Sequence, residues 1–167
     1  MKQTKRSLLI LILGLLSAIG PFSIDMYLPG FPVIAESLNT TVDRVAYSLS
    51  SFFIGLCAGQ LMVGPLLDRF GRKKPLCIGL VLYIIASIGC SLATTVEALI
   101  AFRFVQALGC CVGMVAPNAI VRDFFPVAQN AKIFSLLILI LGVSPILAPT
   151  VGSYVVTAFG WPTVFTV

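Results

Sequence analysis

The chain has 167 residues, of which 59% are hydrophobic and 10% charged, and its mean hydropathy is +1.08. This composition excludes a soluble globular domain, in which about a quarter of the residues are charged, so the lipid bilayer is the expected solvent. The net charge of +5 does not indicate nucleic-acid binding, because the basic residues fall in short segments between long apolar stretches.

No feature of the sequence indicates an enzyme or a metal site. The five cysteines all lie in apolar stretches without the spacing of zinc ligands, and the chain contains no histidine. Acidic residues do not cluster within the apolar stretches. We therefore expect no enzymatic activity, no cofactor and no bound metal, and we interpret the cysteines as packing residues.

Five apolar stretches are long enough to cross a bilayer, which takes about 20 helical residues. We predict transmembrane helices near residues 7–33, 44–67, 75–95, 97–121 and 133–157, called here the first to fifth spans, and the start of a sixth near residue 162. The connecting segments are short, so consecutive spans should lie side by side in antiparallel order. The sequence therefore predicts an all-α membrane protein.

Basic residues concentrate on one side of this arrangement. They fall in the N-terminal segment, the second loop and the fourth loop: Lys2, Lys5, Arg6, Arg69, Arg72, Lys73, Lys74, Arg122 and Lys132. The opposite loops offer one basic residue, Arg44, beside the acidic residues Glu36, Asp43 and Glu97. Because cytoplasmic loops carry the excess of lysine and arginine, we predict a cytoplasmic N-terminus.

Two charged residues fall well inside apolar stretches, Asp25 in the first span and Arg103 in the fourth. A charge at the centre of a membrane helix costs about 2.5–3.5 kcal/mol on insertion, so a functional role is the default explanation. The first span runs outward and the fourth runs inward, which puts both residues at similar depth. Either they form a buried ion pair that holds the two helices together, or Asp25 is an acid whose protonation is coupled to substrate binding.

Both charged residues lie on stripes of small and polar residues. The stripe of the first span contains Gly14, Ala18, Pro21, Asp25, Pro29 and Pro32, and that of the fourth contains Arg103, Gln106, Cys110, Gly113 and Pro117. Residues three and four apart share one face of a helix. Polar faces of membrane helices normally face the bundle interior or a water-filled cavity, so we expect both stripes to face inward.

The densest group of charges follows the second span, in the segment Gly64–Lys74. Asp68 is expected near a helix C-terminus, where the helix dipole disfavours an anion and favours the neighbouring Arg69 and Arg72. We therefore predict that Asp68 pairs with a cation or with the N-terminus of another helix. Gly71 permits the turn that joins the second span to the third.

The fifth span combines prolines with glycines. Gly142, Pro145, Pro149 and Gly152 are expected on one face. Two prolines one turn apart remove backbone hydrogen bonds and bend a helix, and glycines allow a neighbouring helix to approach closely. We interpret this stripe as a structural bend with a conformational role in transport.

Four motifs resemble the Major Facilitator Superfamily, and in particular its bicyclomycin-resistance-type (Bcr/CflA) drug:proton antiporters. The loop pattern Gly-x-x-x-Asp-Arg-x-Gly-Arg-Lys-Lys over residues 64–74 is similar to the family's helix 2–3 motif. The others are Asp25-Met26-Tyr27-Leu28-Pro29, Arg103-Phe104-Val105-Gln106 with a looser glycine placement, and Ser144-Pro145-Ile146-Leu147-Ala148-Pro149 followed by Gly152. Ser153 stands where the family commonly has a second glycine.

This resemblance implies twelve helices in two six-helix halves, with proton-coupled export of amphipathic drugs or other xenobiotics across a bacterial inner membrane by alternating access. It assigns proton coupling to Asp25 and Arg103, and a conformational latch to the loop residues Gly64, Asp68, Arg69, Gly71 and Arg72. It also makes Phe22, Met26, Tyr27 and Gln106 candidates for lining the cavity.

On this interpretation residues 1–167 form an incomplete N-terminal half whose sixth helix is cut off, and the C-terminal half of the transporter is a missing partner beside the substrate, protons and lipid. A substrate site between two halves would then be incomplete. Two alternatives remain: a carrier of a specific metabolite on the same fold, and a truncated chain without activity of its own.

Overall fold

The computed structural model describes residues 3–166 of the chain. Six α-helices follow one another: α1 (Gln3–Asp25), α2 (Phe31–Ser37), α3 (Val42–Phe70), α4 (Lys73–Ser91), α5 (Val96–Phe124) and α6 (Val127–Phe159). Two short 3₁₀ turns lie at Leu28–Gly30 and Trp161–Phe165. No strand occurs in the described part of the chain, and the predicted all-α class is confirmed.

Five spans are long and apolar enough to cross a membrane, as predicted: α1 together with α2, and then α3, α4, α5 and α6. From the second span to the fifth, their bounds differ from the prediction by more than three residues in two places. The third span ends at Ser91 rather than near residue 95, and the loop expected at 122–132 shrinks to Phe125 and Pro126. Proline explains this short connection, because it forces the preceding residue into an extended conformation and itself suits the start of a helix.

The first span is broken, where the sequence predicted one helix over residues 7–33. The helix α1 ends at Asp25, the chain makes a 3₁₀ turn at Leu28–Gly30, and α2 continues to Ser37. Pro29 and Pro32 cause the break, since neither can donate a backbone hydrogen bond to the turn before it. The backbone at this point therefore leaves carbonyl groups near the end of α1 that other elements must satisfy.

The helices α3 and α5 begin in the same way, at the same end of the bundle. Thr41 and Thr95 are their N-cap residues, and each side-chain oxygen accepts a hydrogen bond from a backbone amide three residues later. Arg44 and Glu97, one turn into these helices, form an exposed ion pair with an N–O distance of 2.7 Å. This ion pair joins the N-terminal ends of α3 and α5, although an exposed pair contributes little to the stability of the fold.

The helix α5 is the central element of the bundle. In its most apolar stretch of 18 residues, half of the residues are buried, whereas the corresponding stretches of the other four spans are 22–28% buried. Gly109 shows how closely its neighbours approach, because a Cβ atom there would lie 2.6 Å from the carbonyl oxygen of Gly79 and from the backbone nitrogen of Tyr83. Glycine therefore allows α4 and α5 to pack backbone against backbone.

Candidate functional site

Asp25 is the last residue of α1, immediately before the break in the first span. Its side chain is half-buried. Among residues 3–166, no hydrogen bond or ion pair engages its carboxyl group. The first charged residue that the sequence singled out therefore lies in a membrane-spanning segment without a fixed partner.

Arg103 is completely buried in α5, with 0% of its surface exposed. Its Nη1 donates to Oε1 of Gln106 at 2.8 Å, and its Nη2 donates to the carbonyl oxygen of Ser23 at 3.0 Å. Within the described residues its Nε has no hydrogen-bond partner. Ser23 precedes Asp25 by two residues, so the similar depth of the two charges agrees with the prediction. The buried ion pair, however, is absent from the described part of the structure.

Aromatic rings surround the Arg103 guanidinium in place of a carboxylate. Its Cζ lies 4.4 Å from the ring centroids of both Tyr27 and Phe52, and 5.5 Å from that of Phe165. The faces of aromatic rings attract cations, more strongly where water is excluded. Carbonyl groups at the C-terminal end of α1, such as that of Ser23, carry partial negative charge as well. Together these groups stabilise a buried cation that Asp25 does not neutralise.

Four hydrogen bonds link five residues of three helices, called here the polar ring: Ser23, Tyr83, Ser87, Arg103 and Gln106. Nε2 of Gln106 donates to Oγ of Ser87 at 2.7 Å, and the hydroxyl groups of Tyr83 and Ser23 are 2.6 Å apart. Ser23 donates its own proton to the carbonyl oxygen of Ile19, so Tyr83 is the donor in that contact. The ring connects α1, α4 and α5 near Asp25.

Three members of the polar ring were not anticipated from the sequence: Ser23, Tyr83 and Ser87. The available signal was the spacing of Tyr83 and Ser87, which are four residues apart and so share one face of α4. Serine and tyrosine are common in membrane helices, and that spacing alone does not indicate which helix they face.

The residues proposed to line a cavity separate into two pairs. Phe22 and Met26 line a cavity of about 640 Å³ between α1, α4 and the 3₁₀ turn at Trp161–Phe165, and Phe22 also borders an adjoining one of about 610 Å³ between α1 and α6. Tyr27 and Gln106 are buried, each with 1% exposure, and line neither cavity. Tyr27 instead donates a hydrogen bond to Ser48 at 2.6 Å. The two adjoining cavities are called the α1 groove below.

Arg72 organises the charged loop between α3 and α4. Its Nη1 donates to Oδ1 of Asp68 at 2.7 Å, and its Nε donates to Oδ2 of Asp123 at 2.8 Å. The two carboxylates raise the pKa of the Arg72 guanidinium above its usual value, with Asp123 the larger cause. Asp68 thus pairs with a cation, as expected, while Asp123 was missed because it stands at the far end of α5.

The other loop residues have less specific surroundings. Gly71 adopts a φ of 77°, the left-handed region that favours glycine, and so ends α3. Gly64 has open space where a side chain would project. The guanidinium of Arg69 lies 5.5 Å from the ring centroid of Phe70, its neighbour in sequence. Arg72 is therefore the residue that connects this loop to α5.

Asp123→Asn is expected to loosen the loop at low ionic strength, because Arg72 then loses a charged partner. We expect faster hydrogen exchange at the amides of residues 69–72 in the variant than in the unchanged chain. The difference should shrink at about 1 M salt, where exposed charges are screened beyond roughly 3 Å. Glu97→Gln, at the opposite end of α5, is the matched control and should leave these amides unchanged. An equal difference at both salt concentrations would contradict the electrostatic explanation.

The proline and glycine residues of the fifth span share one face of α6, as expected from their spacing, but their burial varies along the helix. The helix α6 is continuous through Pro145 and Pro149. Gly152 packs directly on the backbone of Met26, whereas Gly142 is exposed with open space around it. Ten residues at about 100° each leave these two glycines about 80° apart around the helix. The stripe therefore packs closely on the first span at Gly152 and leaves open space at Gly142.

Comparison with known proteins agrees with the arrangement of spans. The sequence profile of the Major Facilitator Superfamily matches residues 13–167. The uncharacterized MFS-type transporter YdgK of Bacillus subtilis is 42% identical over 163 residues, which cover 96% of this chain and 40% of that protein. A bicyclomycin resistance protein homolog of Haemophilus influenzae is 36% identical, with 98% and 41% covered. The multidrug resistance protein MdtL of Escherichia coli is 41% identical, with 87% and 37% covered.

The chain thus spans about two fifths of the length of these relatives, at their N-terminal portion. A similar fold occurs in the solved structure of a bacterial homolog of the human lysosomal transporter Spinster, in an inward-facing and unoccupied conformation. The TM-score is 0.78 at 18% identity, and the match covers 99% of this chain and 37% of the other. At that identity the likeness concerns the fold alone.

Proposed function

Because the chain belongs to the Major Facilitator Superfamily, we propose that it is the N-terminal part of a transporter that exports small amphipathic molecules in exchange for protons by alternating access. The observation that carries this proposal is the half-buried carboxyl group of Asp25, which has no ion-pair partner in residues 3–166. The printed names of two relatives, a bicyclomycin resistance protein homolog and a multidrug resistance protein, support drugs as the substrates.

Asp25 has the properties that a proton carrier needs. An ionised carboxylate inside a membrane segment is costly, by about 2.5–3.5 kcal/mol at a helix centre, and protonation removes that cost. A carboxyl group with a fixed cationic partner would hold its charge through the whole transport cycle. Asp25 has no such partner among the described residues. The nearby Arg103 instead donates to the carbonyl oxygen of Ser23, two residues before Asp25 in the sequence. A small movement could therefore change the protonation state of Asp25.

The charged loop is proposed to stabilise one conformation of the transporter. Arg72, which follows the turn at Gly71, joins Asp68 at the end of α3 to Asp123 at the end of α5, on the side predicted to be cytoplasmic. Arg69, exposed beside them, is available to a second half. Because these contacts are exposed and electrostatic, they can form and break at modest cost, as a conformational latch requires.

We propose that a sixth transmembrane helix packs in the α1 groove and so completes the six-helix N-terminal half of the transporter. The groove follows α1 from Ser7 to Met26, about 30 Å at 1.5 Å per residue, which matches the thickness of a hydrocarbon core. The 3₁₀ turn at Trp161–Phe165 lies at its outer end and contributes Val164 and Phe165 to the lining. We propose a cytoplasmic N-terminus in a bacterial inner membrane on a separate ground, the excess of lysine and arginine in the N-terminal segment and in the second and fourth loops.

Asp25→Asn is expected to abolish drug-induced proton release, because the amide cannot carry a proton between states. The assay measures the pH of a weakly buffered detergent solution after drugs are added to the chain, and to a chimera that joins it to the C-terminal part of the Bacillus subtilis relative. Asp43→Asn, at the exposed outer end of α3, is the matched control and should release protons normally. Equal release from the chimera with and without Asp25 would refute its proposed role.

A further inference from the structure

The two residues that accept hydrogen bonds from Arg103, Gln106 and Ser23, are each bound in turn to a side chain of α4. Both terminal nitrogens of Arg103 are bound, one to Gln106 and one to the carbonyl oxygen of Ser23. Asp25, two residues further along α1, has a carboxyl group that a guanidinium would normally prefer as a partner, since charge-assisted pairs are the stronger ones. The hydrogen bonds of Arg103 hold its guanidinium in an arrangement that leaves Asp25 unpaired.

We propose that Ser87 and Tyr83 are positioning residues that keep Arg103 bound to the carbonyl oxygen of Ser23 and away from the carboxyl group of Asp25. The proposal rests on the proposed function in one respect, the role of Asp25 as the acid that exchanges protons. The positions of Arg103 and of α1 themselves depend only on the contacts of the polar ring.

Ser87 acts through Gln106. An amide side chain presents either its oxygen or its nitrogen to a neighbour, and only the oxygen can accept from Arg103. Because Nε2 of Gln106 donates to Ser87 at 2.7 Å, its oxygen faces the other way and accepts from Nη1 of Arg103 at 2.8 Å. Gln106 is 1% exposed, so water offers little replacement for the partner of its Nε2, although Ser87 itself borders the α1 groove. Without the Ser87 hydroxyl group, the amide loses the contact that fixes its orientation.

Tyr83 acts through the end of α1. Its hydroxyl group donates to Oγ of Ser23 at 2.6 Å, and the carbonyl oxygen of the same residue accepts from Arg103. One residue of α1 is thus held by α4 through its side chain and by α5 through its backbone. Since α1 ends two residues later, this double attachment fixes the end of the helix on which Asp25 stands.

The ring makes the state of Asp25 depend on α4. A displacement of α4 that opens the ring frees Arg103 to pair with Asp25, and the carboxyl group then gives its proton to water and remains as a carboxylate. Closing the ring withdraws the guanidinium, and the carboxylate takes a proton back. Helix movement and proton release are thereby linked through two hydroxyl groups that carry no charge.

Few other groups compete for Asp25. Of the described residues, the charged or titratable side chains on the elements around this end of α1 are Arg103 and Cys110 on α5, Tyr83 and Cys90 on α4, Tyr27 next to the break, the exposed Tyr47 on α3 and Tyr154 on α6, and the ion pair of Arg44 with Glu97. Arg44 is already paired with a carboxylate, whereas Arg103 is a buried cation without one in the described part of the chain, so the position of Arg103 has the largest influence on the protonation of Asp25.

Infrared spectroscopy of the chain in lipid nanodiscs tests the proposal. The C=O band of the protonated Asp25 carboxyl group is isolated by subtracting the spectrum of Asp25→Asn, and its midpoint pH is measured. Ser87→Val and Ser87→Thr are the matched variants, because the two new side chains have the same shape and differ in the hydroxyl group. We expect Ser87→Val to lower the midpoint by at least about one pH unit, the effect of a newly adjacent cation, and Ser87→Thr to leave it unchanged.

Tyr83→Phe, which removes one hydroxyl group, should shift the midpoint in the same direction as Ser87→Val and serves if that variant fails to fold. Equal midpoints in Ser87→Val and Ser87→Thr, or in Tyr83→Phe and the unchanged chain, would overturn the proposal. The titration requires no transport. The midpoint pH of the Asp25 band could shift in these variants while the chimera releases no protons when drugs are added. That result would refute the proposed function and leave the positioning role of Ser87 and Tyr83 intact.

Discussion

Arg103→Lys is expected to lower the free energy of unfolding of the chain by about 2–4 kcal/mol, although it keeps the positive charge. The guanidinium of Arg103 lies between the rings of Tyr27 and Phe52 and donates from two nitrogens in different directions. A lysine ammonium is a compact point charge without the planar fork that fits this place. The carbonyl oxygen of Ser23 and the amide oxygen of Gln106 would compete for the single ammonium group inside a buried site.

The stability of this variant can be measured by thermal unfolding in detergent, followed by circular dichroism. Arg69→Lys is the matched control, since Arg69 is exposed and lies beside Phe70 in the last turn of α3. We expect Arg69→Lys to unfold at the same temperature as the unchanged chain. Equal loss of stability in both variants would show that burial of the Arg103 guanidinium contributes nothing specific.

Gly109→Ala is expected to destabilise the chain by about 1–3 kcal/mol, because it forces α4 and α5 apart. The added Cβ atom would lie 2.6 Å from two backbone atoms of α4, on Gly79 and Tyr83, and backbone cannot move aside as a flexible side chain can. The shift would also displace Tyr83 from Ser23. Loss of stability and a change in the polar ring are therefore expected together.

Gly142→Ala is the matched control for this substitution. Gly142 also lies within a helix, but no atom stands within 4 Å of the position of an added Cβ. Alanine there should be neutral or should stabilise by about 0.5–1 kcal/mol, because glycine is the poorer helix former. The comparison uses the same unfolding measurement. If both variants were equally stable, close approach of α4 and α5 at Gly109 would not matter for the fold.

Most of the fold could be predicted from the sequence, because hydrophobic length and charge placement act locally. Five spans follow from apolar stretches of sufficient length, and they are present. The prediction failed where proline changes the backbone. Pro29 and Pro32 broke the first span instead of lying within it, and Pro126 shortened the fourth loop to a turn. Proline was visible in the sequence, but its effect depends on whether neighbouring elements satisfy the backbone groups that it frees.

The site could be predicted only in part. Charges inside apolar stretches are conspicuous, so Asp25 and Arg103 could be found, and their similar depth follows from counting residues. Their actual partners depend on how each helix is rotated about its axis. That rotation is set by close contacts such as that of Gly109 with α4, which a single sequence does not reveal. The same uncertainty hid Ser87 and Tyr83, and it hid Asp123 as the second partner of Arg72.

The position of Arg103 along the chain has a consequence for how the protein is made. Chains emerge from the ribosome N-terminus first, so the first three spans are synthesised before α5. The residues that contact the Arg103 guanidinium from those spans, Ser23, Tyr27 and Phe52, are then already present, and Gln106 follows three residues later. A cation that would resist insertion by itself therefore meets its acceptors and aromatic rings as it arrives. In a ribosome-bound chain that ends soon after α5, we accordingly expect this helix to insert into the membrane in most chains. Deleting the first span should lower the fraction of chains in which α5 is inserted.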